Sequence, residues 1–231
     1  MNCFAKYNIM IGLLFFSTTI IFAKYKPASP INKKYKTLAE KKDLFKKVGC
    51  RYSTVLDINF SDFEILKKSN DYLQAKKNYK NKSQKYHLEV KKKIQAPLYL
   101  AWISDTVGYG VFAETDIKKD DFIGEYFGTL RPIKKGADNL DYSWCYTLYS
   151  FHNQNIIIDA KDQGNEMRFV NHSSHPNTIR IDVIDDHDIF HICYIANKDI
   201  AKDEQLTISY GEEYFTSREM PIIEVATIML H

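Results

Sequence analysis

A change of texture at Ala96-Pro97 restricts the fold more than anything else in this chain. Beyond it the apolar residues come in short runs, LYLAWI, GVFA, FIGEYFG, SWCYTLY, NIIIDA, TIRIDVI, IFHICYIA and QLTISYG, each bounded by turn residues. Runs of this length, rich in β-branched and aromatic side chains, read as strands, and no long stretch with a helical apolar period separates them. The expectation is a mainly β domain with short helices, built from small twisted sheets. A doubly wound nucleotide fold is disfavoured. Gly108-Tyr109-Gly110 lacks the third glycine and the following helix of a dinucleotide fingerprint, and no phosphate loop with Gly-Lys-Ser/Thr occurs.

Upstream, the pattern is helical and basic. Residues 24–36, with Pro27, Pro30 and a run of Lys, read as a linker. Leu38, Leu44, Phe45 and Val48 fall near helical spacing over Thr37 to Val48, and Gly49 follows as a left-handed C-cap. Ser61 with Glu64 reads as a capping box opening a second, lysine-studded helix as far as about Tyr79. The remainder to Gln95 is polar and basic, an exposed helix extension or a connector. The expected organisation is therefore a segment 1–23, a linker 24–36, a basic helical region 37–95, a β domain 97–215 and a C-terminal segment 216–231.

Net charge is +3, but it is divided by position. Lys24 to Gln95 carries 20 basic and 7 acidic residues, whereas Ala96 to His231 carries 11 and 22. A basic arm favours DNA, an anionic membrane surface or an acidic partner, and an acidic domain attracts Lys-rich or Arg-rich ligands. Alternatively both are solvated surfaces, or the two halves pack on each other.

Residues 9–23, IMIGLLFFSTTIIFA, form an apolar run after Lys6 that ends in small Ala23. Fifteen residues are short for a span, which needs roughly 20, so the run reads as a signal peptide of a secreted protein. Lys24, Lys26, Lys33, Lys34 and Lys36 follow it closely, and that bias would instead hold a membrane-anchored form with its C-terminal side in the cytoplasm. Four cysteines stand far apart without a C-x-x-C pair, and His187, His191 and Cys193 lack a fourth ligand nearby, so no metal site is expected.

Four segments in order carry the chemistry: GYGVFA at Gly108 to Ala113, GEYFG at Gly124 to Gly128, RFVNHSSHPN at Arg168 to Asn177, and DEQLTISYG at Asp203 to Gly211. Together they resemble the SET-domain protein lysine methyltransferases, over about Pro97 to Phe215. The resemblance implies a SET (β-clip-like) fold, the cofactor S-adenosyl-L-methionine, and transfer of its methyl group to a lysine of a Lys-rich, histone-like substrate without a metal. Methylation of a non-histone protein such as a ribosomal component, or a catalytically silent scaffold that binds chromatin or membrane, are the alternatives.

Residue by residue, Gly108, Tyr109 and Gly110 match the turn that lets main chain approach the cofactor. Arg168, Phe169, Asn171 and His172 match the segment that binds it. Tyr210 and Tyr126 match the tyrosines implied to line a lysine channel, where a ring walls the apolar stem and a hydroxyl orients the amine. Tyr142, Tyr146, Ile208 and Tyr214 are weaker channel candidates, Glu125 is read as structural, and core packing is the competing role for every tyrosine. Free lysine has a pKa of about 10.4, so the site must favour the neutral amine. The chain departs from the pattern at Ser174, Ile208 and Ser209, and the cysteine-rich segments that flank many members are absent. Delivery of such an enzyme to a host cell would follow if the signal is real.

Overall fold

The computed structural model describes residues 33–79, 83–134, 140–151 and 154–216. The apolar run 9–23, most of the linker and the end of the C-terminal segment lie outside the described residues.

Helix α1 (Leu38–Lys47) begins at a reciprocal cap in which Thr37 accepts from the Glu40 amide while the Glu40 carboxylate accepts from the Thr37 amide. It ends before Gly49, which takes φ +71°, a left-handed conformation open to glycine at no steric cost. Two short strands follow, β1 (Arg51–Tyr52) and β2 (Asp57–Ile58). The single helix expected over 61–79 is two, α2 (Phe60–Leu66) and α3 (Asn70–Tyr79). The cap of α2 is Asn59, whose side chain accepts from the Ser61 amide, not a box formed by Ser61 and Glu64. Ser69 accepts from the Tyr72 amide and starts α3, so the polar Lys67-Lys68-Ser69 turn interrupts the period. A short helix α4 (His87–Lys91) closes the region.

The rest is the expected array of short strands: β3 (Leu98–Ser104), β4 (Gly108–Ala113), β5 (Phe122–Glu125), β6 (Thr129–Pro132), β7 (Ser143–Phe151), β8 (Gln154–Asp159), β9 (Gln163–Gly164), β10 (Asn171–His172), β11 (Thr178–Ile184), β12 (Phe190–Ala196) and β13 (Thr207–Ile208), with a last helix α5 (Glu212–Thr216). They form small sheets: β3-β4, β11-β12-β5, β2-β6-β8-β7 and the parallel pairs β1-β9 and β10-β13.

Alternation along β12 shows how the core is divided. Phe190, Ile192, Tyr194 and Ala196 enter the main core, while Cys193 and Ile195 turn to the opposite face and meet Val183, Tyr86 and Val90. That second face is covered by α4 and the turn before it. Leu44 and Phe45 of α1 are fully buried in the same main core as Tyr109 and Phe169. Each such side chain contributes roughly 1.5–3 kcal/mol by leaving water. The basic region is thus built into the β domain: β1 and β2 extend two of its sheets, and Tyr35 exchanges both backbone hydrogen bonds with Leu100.

Charge follows the same logic. Lys34 pairs with Asp203 at 2.9 Å, Lys36 with Glu114 at 3.1 Å, Lys41 with Glu166 at 2.7 Å, Lys76 with Asp188 at 2.7 Å and Lys91 with Asp186 at 2.9 Å. Of the readings of the divided charge, packing of the two halves on each other is the one these contacts realise.

Candidate active site

The site forms where chain segments far apart in sequence are laced together. Asn171 and His172 pair in parallel with Thr207 and Ile208, joining the third motif to the fourth. The Asn171 amide donates to the Tyr109 carbonyl at 3.1 Å, which ties the same strand to the first motif. Asn177 locks the crossing: its amide donates to the Gln205 carbonyl at 2.8 Å and its oxygen accepts from the Thr207 amide at 2.8 Å. The Asn177 contacts are buried, and together with the Asn171 bond they fix the relative position of three motifs.

Around this crossing the glycines open a recess. Gly108 has φ +81°, and a methyl group built on it would touch nothing nearer than a Trp102 ring atom at 4.0 Å. Gly110 is the reverse: a side chain there would come within 2.5 Å of Ile103 Cδ1 and 3.0 Å of the Gln205 amide nitrogen, so Ile103 would have to move aside. Beside Gly110 lies the fully buried Gln205 amide, neither of whose polar atoms has a partner among the described residues. Bare main chain, the Asn171 side chain and an unpaired buried amide fit a ligand with both donor and acceptor groups, as S-adenosyl-L-methionine has at its amino-acid end.

His172 is oriented on the other side of the crossing. Its Nδ1 accepts from the Tyr210 amide at 3.1 Å, and its ring packs against Phe215 at 4.6 Å. Tyr210 donates its hydroxyl proton to the Val170 carbonyl at 2.9 Å. Tyr214 and Phe215 of α5 flank the Tyr210 ring, with centroids 4.8 and 6.4 Å away. Tyr126 donates to the Tyr142 carbonyl at 2.6 Å, and Tyr142 is exposed at the rim. Burial pushes the pKa of both Tyr126 and Tyr210 well above the ordinary tyrosine value. Both therefore stay protonated at physiological pH and orient rather than take up protons.

Other residues singled out in the sequence hold the walls instead. The Arg168 guanidinium, buried, donates to the carbonyls of Ala160 at 2.8 Å and Lys161 at 3.4 Å and lies 3.8 Å from the Tyr142 ring centroid. A buried guanidinium needs such acceptors, and they leave it structural. The rings of Tyr109 and Phe169 pack into the core against Tyr35, Trp102 and Phe45. Tyr146, a weaker channel candidate, takes the packing role weighed for it: it is fully buried, and its hydroxyl accepts from the Phe190 amide at 2.9 Å. Ile208 is buried within the β10-β13 pair.

Glu125 accepts from His191 Nδ1 at 2.6 Å, and Asp185 lies 3.2 Å from His191 Nε2. Burial alone would discharge the imidazole, but the two carboxylates outweigh it and hold its pKa up at about 9. The same contact, with backbone amides, holds Asp185 down at about 2 against its own burial. Glu125, His191 and Asp185 thereby form one ion cluster.

Two residues were missed. Tyr194, 1% exposed, packs on Tyr126 with centroids 6.2 Å apart, and Trp144 Nε1 donates to its hydroxyl at 2.6 Å. Tyr194 was findable, since it sits on the inward phase of the IFHICYIA alternation.

With the geometry in hand, residues 108–211 match the family model described as the SET domain. The chain carries a SET domain. Among curated relatives, the Putative histone-lysine N-methyltransferase 1 of Plasmodium falciparum is 32% identical over 170 residues, which cover 71% of this chain but 2% of that protein. The Histone-lysine N-methyltransferase MEDEA of Arabidopsis thaliana is 35% identical over 102 residues, 42% of this chain and 14% of that protein. This chain thus spans a small part of the relatives it matches. The Neurospora SET domain protein DIM-5, a histone lysine methyltransferase, aligns with a TM-score of 0.47 at 22% identity, over 59% of this chain and 57% of that one. The SET-domain match ends at Gly211, and α5, which packs on Tyr210, follows directly after it.

Proposed function

We propose that this SET domain is a S-adenosyl-L-methionine-dependent protein lysine N-methyltransferase whose substrate is a Lys-rich tail such as that of a histone. The observation that carries the proposal is the crossing itself. It sets Asn171 beside Tyr109 and Gly110 on one side of a strand pair and His172 against Tyr210 on the other. Relatives named as histone-lysine methyltransferases support the substrate class.

The cofactor would supply an electrophilic methyl on a positively charged sulfur. Gly108, Gly110 and Asn171 would hold its polar end by main chain and amide. Tyr126 and Tyr210 would wall the lysine stem and accept from the amine, their own protons being donated outward to carbonyls. Burial of the amine lowers its pKa and frees the lone pair, and alignment supplies further acceleration. The acidic residues of the domain would draw in a cationic tail.

The test is transfer of labelled methyl from S-adenosyl-L-methionine to core histones, nucleosomes and a cell lysate, with Tyr210→Phe as control. Label on a histone that falls in the variant is expected. Label only in lysate would move the substrate elsewhere, and a chain that binds no cofactor would be the silent scaffold.

We further propose that any anionic partner, DNA or membrane, meets the cations left after docking. Lys42, Lys46 and Arg51, all exposed, line a cleft of about 460 Å³ between α1 and β1. Binding to duplex DNA whose salt dependence flattens in Lys42→Glu/Lys46→Glu is the expected result. Secretion through residues 9–23 is tested by fractionation of cells expressing the chain with and without that run.

A further inference from the structure

Four carboxamide side chains are buried among the described residues, and three of them bond both polar atoms within the chain. Gln163 donates to Asp57 and Thr129 at 2.7 and 2.8 Å and accepts from Arg51. Asn165 donates to the Glu125 carbonyl at 2.8 Å and accepts from the Phe127 amide at 3.4 Å. Asn177 holds the crossing in the same two-sided way. Gln205 is the exception. It is 0% exposed, yet neither its oxygen nor its nitrogen meets a partner among the described residues. A buried amide left unpaired lowers stability where a hydrocarbon of the same shape would not, so stability does not explain this residue.

Its position offers another explanation. The Gln205 main chain is committed, with its carbonyl accepting from Asn177 and a bridge to Phe112 of β4. The side-chain nitrogen lies 3.0 Å from the point where a Cβ on Gly110 would stand, and the Asn171 amide nitrogen lies 3.3 Å from the same point. The unpaired amide is therefore set between the first and third motifs, beside the groups that would hold the polar end of the cofactor. The third neighbour of that point is Ile103 Cδ1, at 2.5 Å. Ile103 is only partly buried, near the end of β3, and rotation about one side-chain torsion carries its Cδ1 elsewhere.

A carboxamide presents a donor and an acceptor from one side chain. An amino-acid zwitterion calls for both, since its ammonium needs an acceptor and its carboxylate a donor. A carboxylate or an ammonium in the place of Gln205 would match one of these groups and repel the other. Resting on the methyltransferase reading, we propose that Gln205 is a further cofactor-binding residue, whose amide takes the amino-acid end of S-adenosyl-L-methionine once Ile103 turns aside.

The test uses two thioethers that differ only beyond the sulfur: S-adenosyl-L-homocysteine, which carries the amino-acid end, and methylthioadenosine, which has a methyl group in its place. Calorimetry measures the binding of each to the full chain, and thermal melts are recorded without ligand. Gln205→Met keeps the length of the side chain without its amide. It should bind S-adenosyl-L-homocysteine about tenfold more weakly, bind methylthioadenosine as the wild type does, and melt at or above the wild-type temperature. Ile103→Val, which deletes the Cδ1 methyl, should bind S-adenosyl-L-homocysteine about threefold more tightly. Should Gln205→Met fail to fold, Ile103→Val decides alone, and no tightening there would overturn the inference. Equal losses for both thioethers in Gln205→Met, or an unchanged affinity for S-adenosyl-L-homocysteine, would overturn it too and leave the methyltransferase reading intact. A wild-type chain that binds neither thioether would overturn both.

Discussion

Lys41 and Glu166 make the sharpest test of whether the basic region is part of the catalytic body. Lys41 sits on the inner side of α1, and its ammonium meets Glu166 at 2.7 Å with side chains only 11% and 1% exposed. Glu166 opens the turn that leads through Arg168 and Phe169 into Asn171. Replacing Lys41 by Met keeps the aliphatic stem but strands a buried carboxylate, which costs about 3–5 kcal/mol. The Tyr52 hydroxyl still reaches the Glu166 oxygens at 3.1 and 3.2 Å, so the lower end, about 3 kcal/mol, is expected. Against a total stability of about 5–15 kcal/mol that is a large share. Urea unfolding followed by circular dichroism measures it. Lys41→Met with Glu166→Gln should recover about 2 kcal/mol or more, because the amide keeps the tyrosine contact and carries no charge. A single-variant loss below about 1 kcal/mol would mean that the pair is hydrated and that α1 is a loosely held appendage, which would refute the reasoning.

Other outcomes follow from the same contacts. His191 has its pKa raised to about 9 from an unfolded value near 6.5, so its contribution, about 3 kcal/mol, is complete below pH 6.5 and lost as pH rises through 9. Thermal melts from pH 6 to 10 should show that decline in the wild type and not in His191→Gln. Asp185, held down at about 2, gives stability above its unfolded value near 3.9 that disappears as pH falls through 2, and Asp185→Asn should blunt acid unfolding. Gly108→Ala should cost about 1 kcal/mol in melts through its φ of +81° and weaken S-adenosyl-L-methionine binding in calorimetry by filling the recess.

The strands were legible because their signal is local: seven of the eight apolar runs, LYLAWI to IFHICYIA, correspond to longer strands, and the eighth, QLTISYG, to the two-residue β13. The first helix was legible for the same reason, since Thr37, Leu44, Phe45 and Gly49 each act within one turn of their position. The split between α2 and α3 was not, because Lys67 and Ser69 break a weak period through a side-chain cap that propensity underrates. The residues that the structure laces together at the crossing, Tyr109 with Asn171 and His172 with Tyr210, all lie inside motifs and so could be named from the sequence. Tyr194 could be placed on the inward face from the alternation of its own strand, but its meeting with Tyr126 and Trp144 depends on how β7, β12 and the core come together, which no single segment encodes.

Charge shows the same limit in another form. A stretch with a large positive excess followed by one with a large negative excess looks like two surfaces awaiting two partners. Charge counted along a chain says nothing of distance. Here Lys34, Lys36, Lys41, Lys76 and Lys91 spend their charge on Asp203, Glu114, Glu166, Asp188 and Asp186 of the same molecule. The acidic residues so neutralised are withdrawn from steering a cationic tail, just as the lysines are withdrawn from binding phosphate. Any substrate attraction must therefore come from carboxylates outside these pairs, such as the exposed Asp105 in the turn between β3 and β4. Asp105→Asn should accordingly raise the KM for histone more at low than at high ionic strength, while Asp186→Asn should leave KM unchanged and lower the melting temperature.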